Sequence, residues 1–199
     1  MSSKPVSRRS VLKSLGMGVM AGSVLKVIPL QAAEHAHKMV AAEKAASPGA
    51  KYAPKYFSDH QYKTLRSLCQ TIMPPDAESG GAIEAGAPEF IDLLTSENEE
   101  YQVKLGGGMM WLDNTCLDRY GKAYLDCAPD QQKEILDQIA YRKNALDHPS
   151  LGQGIEFFGF LRQMAADGFF TSAIGIKYLG YIGNTYLAEF PGCPPVPGI

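Results

Sequence analysis

Between residues 62 and 72 apolar side chains return every three or four positions: Tyr62, Leu65, Leu68, Cys69 and Ile72. That spacing lines one face of an α-helix. Ser58 or Asp59 can cap it, because a short side-chain oxygen satisfies the free N–H groups of a first turn. Met73-Pro74-Pro75-Asp76 stops it, since proline lacks the N–H a helix interior needs. The same pattern predicts a short helix over 87–96, with Pro88 in its first turn and Phe90, Ile91, Leu93 and Leu94 turned inward. A third helical segment spans 97–120, with a stripe of Tyr101, Leu105, Met109, Leu112, Cys116 and Tyr120. A fourth opens at Cys127-Ala128-Pro129-Asp130, buries Ile135, Leu136 and Ile139, and ends near Asn144. A fifth covers 156–170, with Phe157, Phe160, Leu161, Met164 and Ala165 inward. No alternating run predicts a strand. The expected fold is all-α: a small irregular helical bundle with a long Gly-, Pro- and Tyr-rich C-terminal segment.

Gly106-Gly107-Gly108 interrupts the third segment, at about 1 kcal/mol per glycine relative to alanine. Such a run inside a helix implies a close helix crossing or a kink. A phosphate-cradling loop would need a preceding strand and a GK[ST] ending, and neither is present. Trp111, the one tryptophan, reads as a core or interface residue.

The apolar pattern weakens before residue 57. Residues 1–33 read as a twin-arginine signal peptide: Ser7-Arg8-Arg9-Ser10-Val11-Leu12-Lys13 precedes a mild apolar run over 14–30. Gly16, Gly18, Gly22 and Lys26 keep that run too polar for a stable membrane span. Val11 stands where an aromatic residue is usual. Cleavage is expected after Ala32 or Ala33, and a basic amphipathic helix is the competing reading. Arg8 and Arg9 are the export residues. Residues 34–56, rich in Ala, Lys, Glu and Pro, read as a flexible linker, and 57–199 as a single helical domain. His35 and His37 fall in the linker and read as solvated, because two alternate histidines without a third ligand hold a metal poorly.

Composition narrows the function. The chain has 199 residues, 45% of them hydrophobic, and a formal charge of -2 with both signs dispersed. No basic block marks a nucleic-acid partner. No G-x-G-x-x-G follows a strand and no C-x-x-C-H is present, so neither a dinucleotide fold nor a covalent haem is expected. Asp113 and Asp118 do not share a helix face. Asp126, Asp130 and Asp137 read as caps and solvated positions, and His60 as a surface residue. Four cysteines occur. Cys116 and Cys127 are a candidate disulfide across the turn at Gly121, favoured by an oxidising compartment. Cys69 reads as a buried thiol. Cys193 is free, or pairs within the chain or with a partner.

Four stretches stand in order: Leu65-x-x-Leu68-Cys69-x-Thr71-Ile72-Met73-Pro74, Gly86-Ala87-Pro88-Glu89-Phe90-Ile91-Asp92, Phe157-Phe158 through Asp167-Gly168-Phe169-Phe170, and Gly175-Ile176-x-x-Leu179-Gly180-Tyr181-x-Gly183-Asn184. Together, over about residues 57–193, they resemble the gluconate 2-dehydrogenase subunit 3 family. The resemblance implies the small subunit of a periplasmic, membrane-associated sugar or sugar-acid dehydrogenase. It implies a large flavoprotein partner of the glucose-methanol-choline type that binds FAD, and often a cytochrome c subunit with haem c. It supplies no catalytic, cofactor-binding or metal residues in this chain.

The twin-arginine translocase moves folded proteins. A chain with its signal and no cofactor motif therefore reads as a non-catalytic escort for a partner that lacks a signal. The stretch 154–195 reads as a docking surface whose first part, through Phe170, fills the subunit's own core and whose part from Gly175 to Cys193 meets the flavoprotein, with Phe169, Phe170, Ile176, Tyr178, Tyr181, Asn184 and Cys193 as docking residues. One alternative is a free-standing periplasmic binding or scaffold protein. Another is an enzyme with a site built from Asp167, Tyr178, Tyr181 and Asn184.

Overall fold

The computed structural model describes residues 30–46 and 52–183. Among the described residues seven helices have six or more residues: α1 (Leu30–Ala46), α2 (Asp59–Ile72), α3 (Ala87–Ser96), α4 (Gly107–Tyr120), α5 (Pro129–Ile139), α6 (Gly152–Phe170) and α7 (Ala173–Tyr178). No strand occurs among the described residues. The all-α expectation holds.

α6 is the axis of the bundle. It touches α2, α3, α4, α5 and α7. Leu161, Met164 and Ala165 on its inner face meet Leu65 and Leu68 of α2, Phe90 and Ile91 of α3, and Leu112 of α4 in one core with almost no exposure. Each such apolar side chain contributes about 1.5–3 kcal/mol on burial. The stripes read from the sequence on α2 to α6 are the ones that point inward, with Ile72, Leu94, Tyr101, Tyr120 and Phe160 at the half-buried margin.

Local chemistry sets the helix ends. Ser58 accepts from the Gln61 N–H, and the Gln61 side chain accepts from the Ser58 N–H, a reciprocal cap at the start of α2. Gln61 supplies the second half of a cap whose first half was legible. α5 starts with Pro129 in its first turn, and the Gln131 side chain accepts from the Ala128 N–H. It ends at Ile139, short of the expected Asn144, which instead opens a separate turn, Asn144–Asp147.

The third segment is not one regular helix. A turn at Glu99–Tyr101 widens into a π-helical stretch, Gln102–Gly106, before α4 begins. The Tyr56 hydroxyl donates to the Gln102 carbonyl at 3.2 Å, and a Cβ on Gly106 would come within 2.8 Å of that hydroxyl. The glycines also make the expected close crossing. A Cβ on Gly108 would lie 2.0 Å from the Phe157 ring, and one on Gly154 would lie 2.3 Å from the Trp111 ring. Each helix thus seats an aromatic ring of the other over a glycine.

The linker reading is corrected over much of its length. Residues 34–46 belong to α1, where Ala33, Ala36 and Val40 form a buried stripe against α3. Alanine is the strongest helix former, and its small side chain lets two helices approach closely. Residues 52–57 are also tied down. Asp92, fully buried on α3, accepts from the Tyr52 hydroxyl (2.9 Å) and from the backbone N–H groups of Lys55 (2.6 Å), Tyr56 (3.1 Å) and Phe57 (3.1 Å). His37 is no solvated tail residue. Its ring stacks on Phe90 with centroids 4.8 Å apart.

Candidate functional site

The end of α6 and the turn into α7 are shaped by small residues. Gly168 lies flat on α3, where a Cβ would meet Phe90 at 3.0 Å and Ala87 at 3.1 Å. With that crossing fixed, Phe169 turns into the core and Phe170 turns out. Ser172 caps α7 by accepting from the Gly175 N–H and donating to the Phe169 carbonyl. Gly175 lets α7 fold back on α6, since a Cβ there would sit 2.1 Å from the Phe169 carbonyl oxygen.

α7 stops at a glycine in the left-handed region. Gly180 has φ 65°. Its N–H bonds the Lys177 carbonyl, and the next N–H, of Tyr181, bonds the Ile176 carbonyl. That paired closure is the Schellman motif, which brings the residue after the glycine beside the one four or five positions before it. Here it sets Tyr181 next to Ile176.

The two side chains wall an apolar groove of about 700 Å³. Phe170 and Leu179 complete that wall. The opposite wall is α1, through His37, Val40 and Ala41, and Gly86 lies at the floor. Glu34 and Lys38 stand at the rim and pair with each other at 2.6 Å. The apolar surface extends beyond the groove: Leu179 and Tyr181 are more than half exposed and Ile182 is 86% exposed. A contiguous patch of this kind marks an interaction site more often than scattered single residues do.

The sequence-derived docking residues divide. Phe170, Ile176, Tyr178 and Tyr181 are on the surface, and three of them line the groove. Phe169 is corrected: only 3% of it is exposed, and its ring packs edge-on against Phe170 and Tyr178 inside the fold. Asn184 and Cys193 lie outside the described residues, as do Arg8 and Arg9. Of the residues of the enzymatic alternative, Tyr181 lines the groove, Asp167 and Tyr178 do not, and Asn184 lies outside the described residues. Burial holds the Asp167 carboxyl above the usual carboxylate range. The groove's α1 wall was missed, and so was Leu179. His60 was read as a plain surface residue, yet its Nε2 meets Asp113 at 2.8 Å, and the other oxygen of Asp113 accepts from the Tyr124 N–H. Cys116 and Cys127 are both buried thiols.

His37 couples the groove to pH. Its Nε2 meets the Thr171 hydroxyl at 2.8 Å, and that hydroxyl donates to the Asp167 carbonyl. The Thr171 oxygen is then the acceptor, so His37 carries its proton on Nε2. Burial lowers the His37 pKa from its ordinary 6.5. The unfolded or undocked chain therefore binds the extra proton more readily. The stabilising contribution is present in full above pH 6.5 and is lost as pH falls through the folded-state value. Amide protection in α1, corrected for the intrinsic pH dependence of exchange, is expected to fall on going from pH 7.5 to about 5. His37→Gln should flatten that dependence, and an unchanged profile in the variant would assign it elsewhere.

Among the described residues no helix is long and apolar enough to cross a membrane, and no three His, Cys, Asp or Glu side chains converge as a metal set. No curated protein and no solved structure matches the chain. The model of one protein family, gluconate 2-dehydrogenase subunit 3, matches residues 59–192, which runs from the first turn of α2 past the groove-forming α7. That match covers most of the 199 residues, and the chain belongs to the gluconate 2-dehydrogenase subunit 3 family.

Proposed function

We propose that this chain is the non-catalytic small subunit that exports and stabilises an FAD-dependent sugar or sugar-acid dehydrogenase of the glucose-methanol-choline type. The observation that carries the reading is the apolar groove between α1 and α7, held open on a subunit of a dehydrogenase family. The flavoprotein seats an apolar element there, and the exposed Leu179, Tyr181 and Ile182 extend the contact. Arg8 and Arg9 then address the folded pair to the twin-arginine translocase, which delivers it to the periplasm. FAD stays in the large subunit, and a cytochrome c subunit with haem c receives the electrons. Membrane association comes through the complex.

Co-expression with the flavoprotein tests this. The pair Leu179→Asp and Tyr181→Asp should weaken co-purification by about 30-fold, the effect of losing roughly 2 kcal/mol at an interface centre. Both positions are more than half exposed, so the small subunit itself should still fold. Arg8→Lys with Arg9→Lys should leave both chains in the cytoplasm. Full export and activity of the flavoprotein without this chain would refute the escort role. Intact co-purification of the double groove variant would move the docking surface elsewhere.

A further inference from the structure

The two peptide bonds at which removal of the leader is expected, Ala32–Ala33 and Ala33–Glu34, fall in the first turn of α1. They lie inside a continuous helix and not in a loop. Ala33 and Ala36 are each only 1% exposed and belong to the stripe that packs on α3. Ala32 packs against the same core from its margin. Further along the same turn, His37 stacks on Phe90, with ring centroids 4.8 Å apart, and its Nε2 meets the Thr171 hydroxyl at 2.8 Å. On the outer face Glu34 and Lys38 pair at 2.6 Å. The residues that follow the two bonds are thus held by the helix, by burial on α3 and by a contact to the turn after α6.

A signal peptidase recognises small residues just before the bond it cuts. The substrate must lie extended to fill such a cleft, at about 3.3 Å per residue against about 1.5 Å in a helix. Seating Ala32–Ala33 there means unwinding residues 30–36, which pulls Ala33 and Ala36 off α3 and parts Glu34 from Lys38. The small side chains that mark a cleavage site in the sequence are the same ones that let α1 lie close on α3. We infer that docking of α1 shields both bonds, so that the exported subunit is not cut after Ala32 or Ala33 and keeps α1 whole. Twin-arginine export presents the peptidase with a chain that has already folded. That step rests on the export reading, whereas the shielding does not. The leader then joins the body at the edge of the docking groove, because Glu34 lines it.

Two measurements on the full chain test this. The exported subunit, co-expressed with its flavoprotein, is mapped for its N-terminal peptide, and the expected first residue is Leu30 or one before it. Separately, the purified full chain is treated with elastase, which cuts after small residues. Initial rates at the two bonds are compared with those of a synthetic peptide of residues 27–39. The folded chain should be cut about 100-fold more slowly than the peptide. Ala36→Glu places a charge on the face buried against α3 and should speed cutting by about 10-fold. His35→Glu places the same charge one residue away on the exposed face and should change the rate by no more than about 2-fold. Each variant is referred to a peptide of its own sequence, and the protection of the unaltered chain is read whether or not Ala36→Glu folds. An exported N-terminus at Ala33 or Glu34, or elastase rates equal to those of the free peptide, overturns the inference. Equal rates for the two variants overturn it too, since the protection would then not come from the docked face. A subunit found only in the cytoplasm, yet resistant to elastase at both bonds, refutes export and upholds the shielding.

Discussion

Gly108→Ala should destabilise the fold by about 3 kcal/mol, whereas Gly107→Ala, one residue away, should leave stability unchanged or raise it by up to about 1 kcal/mol. The two glycines sit in the same helix and differ in what they face. A methyl at 108 would lie 2.0 Å from Cδ2, 2.1 Å from Cγ and 2.5 Å from Cβ of Phe157. These atoms include the root of the side chain, so no rotation of a flexible tip relieves the clash. Phe157 is itself buried, and moving it means shifting α6, on which nearly every other helix rests. A methyl at 107 meets only the Gln153 amide nitrogen, at an ordinary 3.7 Å. There the helix-propensity gain of alanine over glycine is free to appear. For a chain of this length the loss at 108 corresponds to a fall in Tm of about 6–12 °C. Thermal unfolding of the two variants side by side decides it. Equal effects would mean that α4 and α6 do not cross as closely as described.

That contrast marks what the sequence allowed and where it stopped. Three consecutive glycines in a helical stripe announced a close crossing or a kink, and the close crossing occurs, as a glycine seat at 108 that follows a π-helical stretch at 102–106. Which glycine faced a ring was not legible, because that depends on the register of a helix far along the chain. Helices with strong stripes of Leu, Ile and Phe were legible for the reason they are stable, since large side chains at helical spacing must be covered. α1 escaped because its buried stripe is mostly alanine, which carries little apolar signal while favouring close packing. The groove escaped with it. The sequence marked the aromatic wall through Ile176 and Tyr181, but the other wall looked like a tether. Phe169 and Phe170 illustrate the finer limit. Adjacent helical residues point about 100° apart, so one can fill the core while the other reaches solvent. Only the seat of Gly168 on α3 decides which is which.

Asp92→Ala should cost about 3–4 kcal/mol and should loosen α1 together with the residues that lead from it. Asp92 does not line the groove, and its role is to hold residues 52–57, which lead into α2. Its two oxygens accept three backbone N–H groups and one hydroxyl from residues 52–57. Truncation leaves buried donors unpaired, each at about 1–3 kcal/mol, offset in part by removing a buried charge. Tyr52→Phe removes one of the four donors and leaves the backbone cradle intact, so its cost should stay near 1 kcal/mol. The Asp92 effect should also be uneven across the fold. The core of α2, α4 and α6 does not depend on the cradle, whereas α3, which carries Asp92, also bears the buried stripe of α1. Amide exchange should therefore rise first in α1, and flavoprotein binding should fall because one wall of the groove has lost its anchor. Restoring binding at a pH above 6.5, where His37 is neutral and best accommodated beside Phe90, should be partial at most. If Asp92→Ala lowered stability uniformly and left α1 as protected as the rest, the cradle would be an ordinary part of the core and not the hinge pin of the groove.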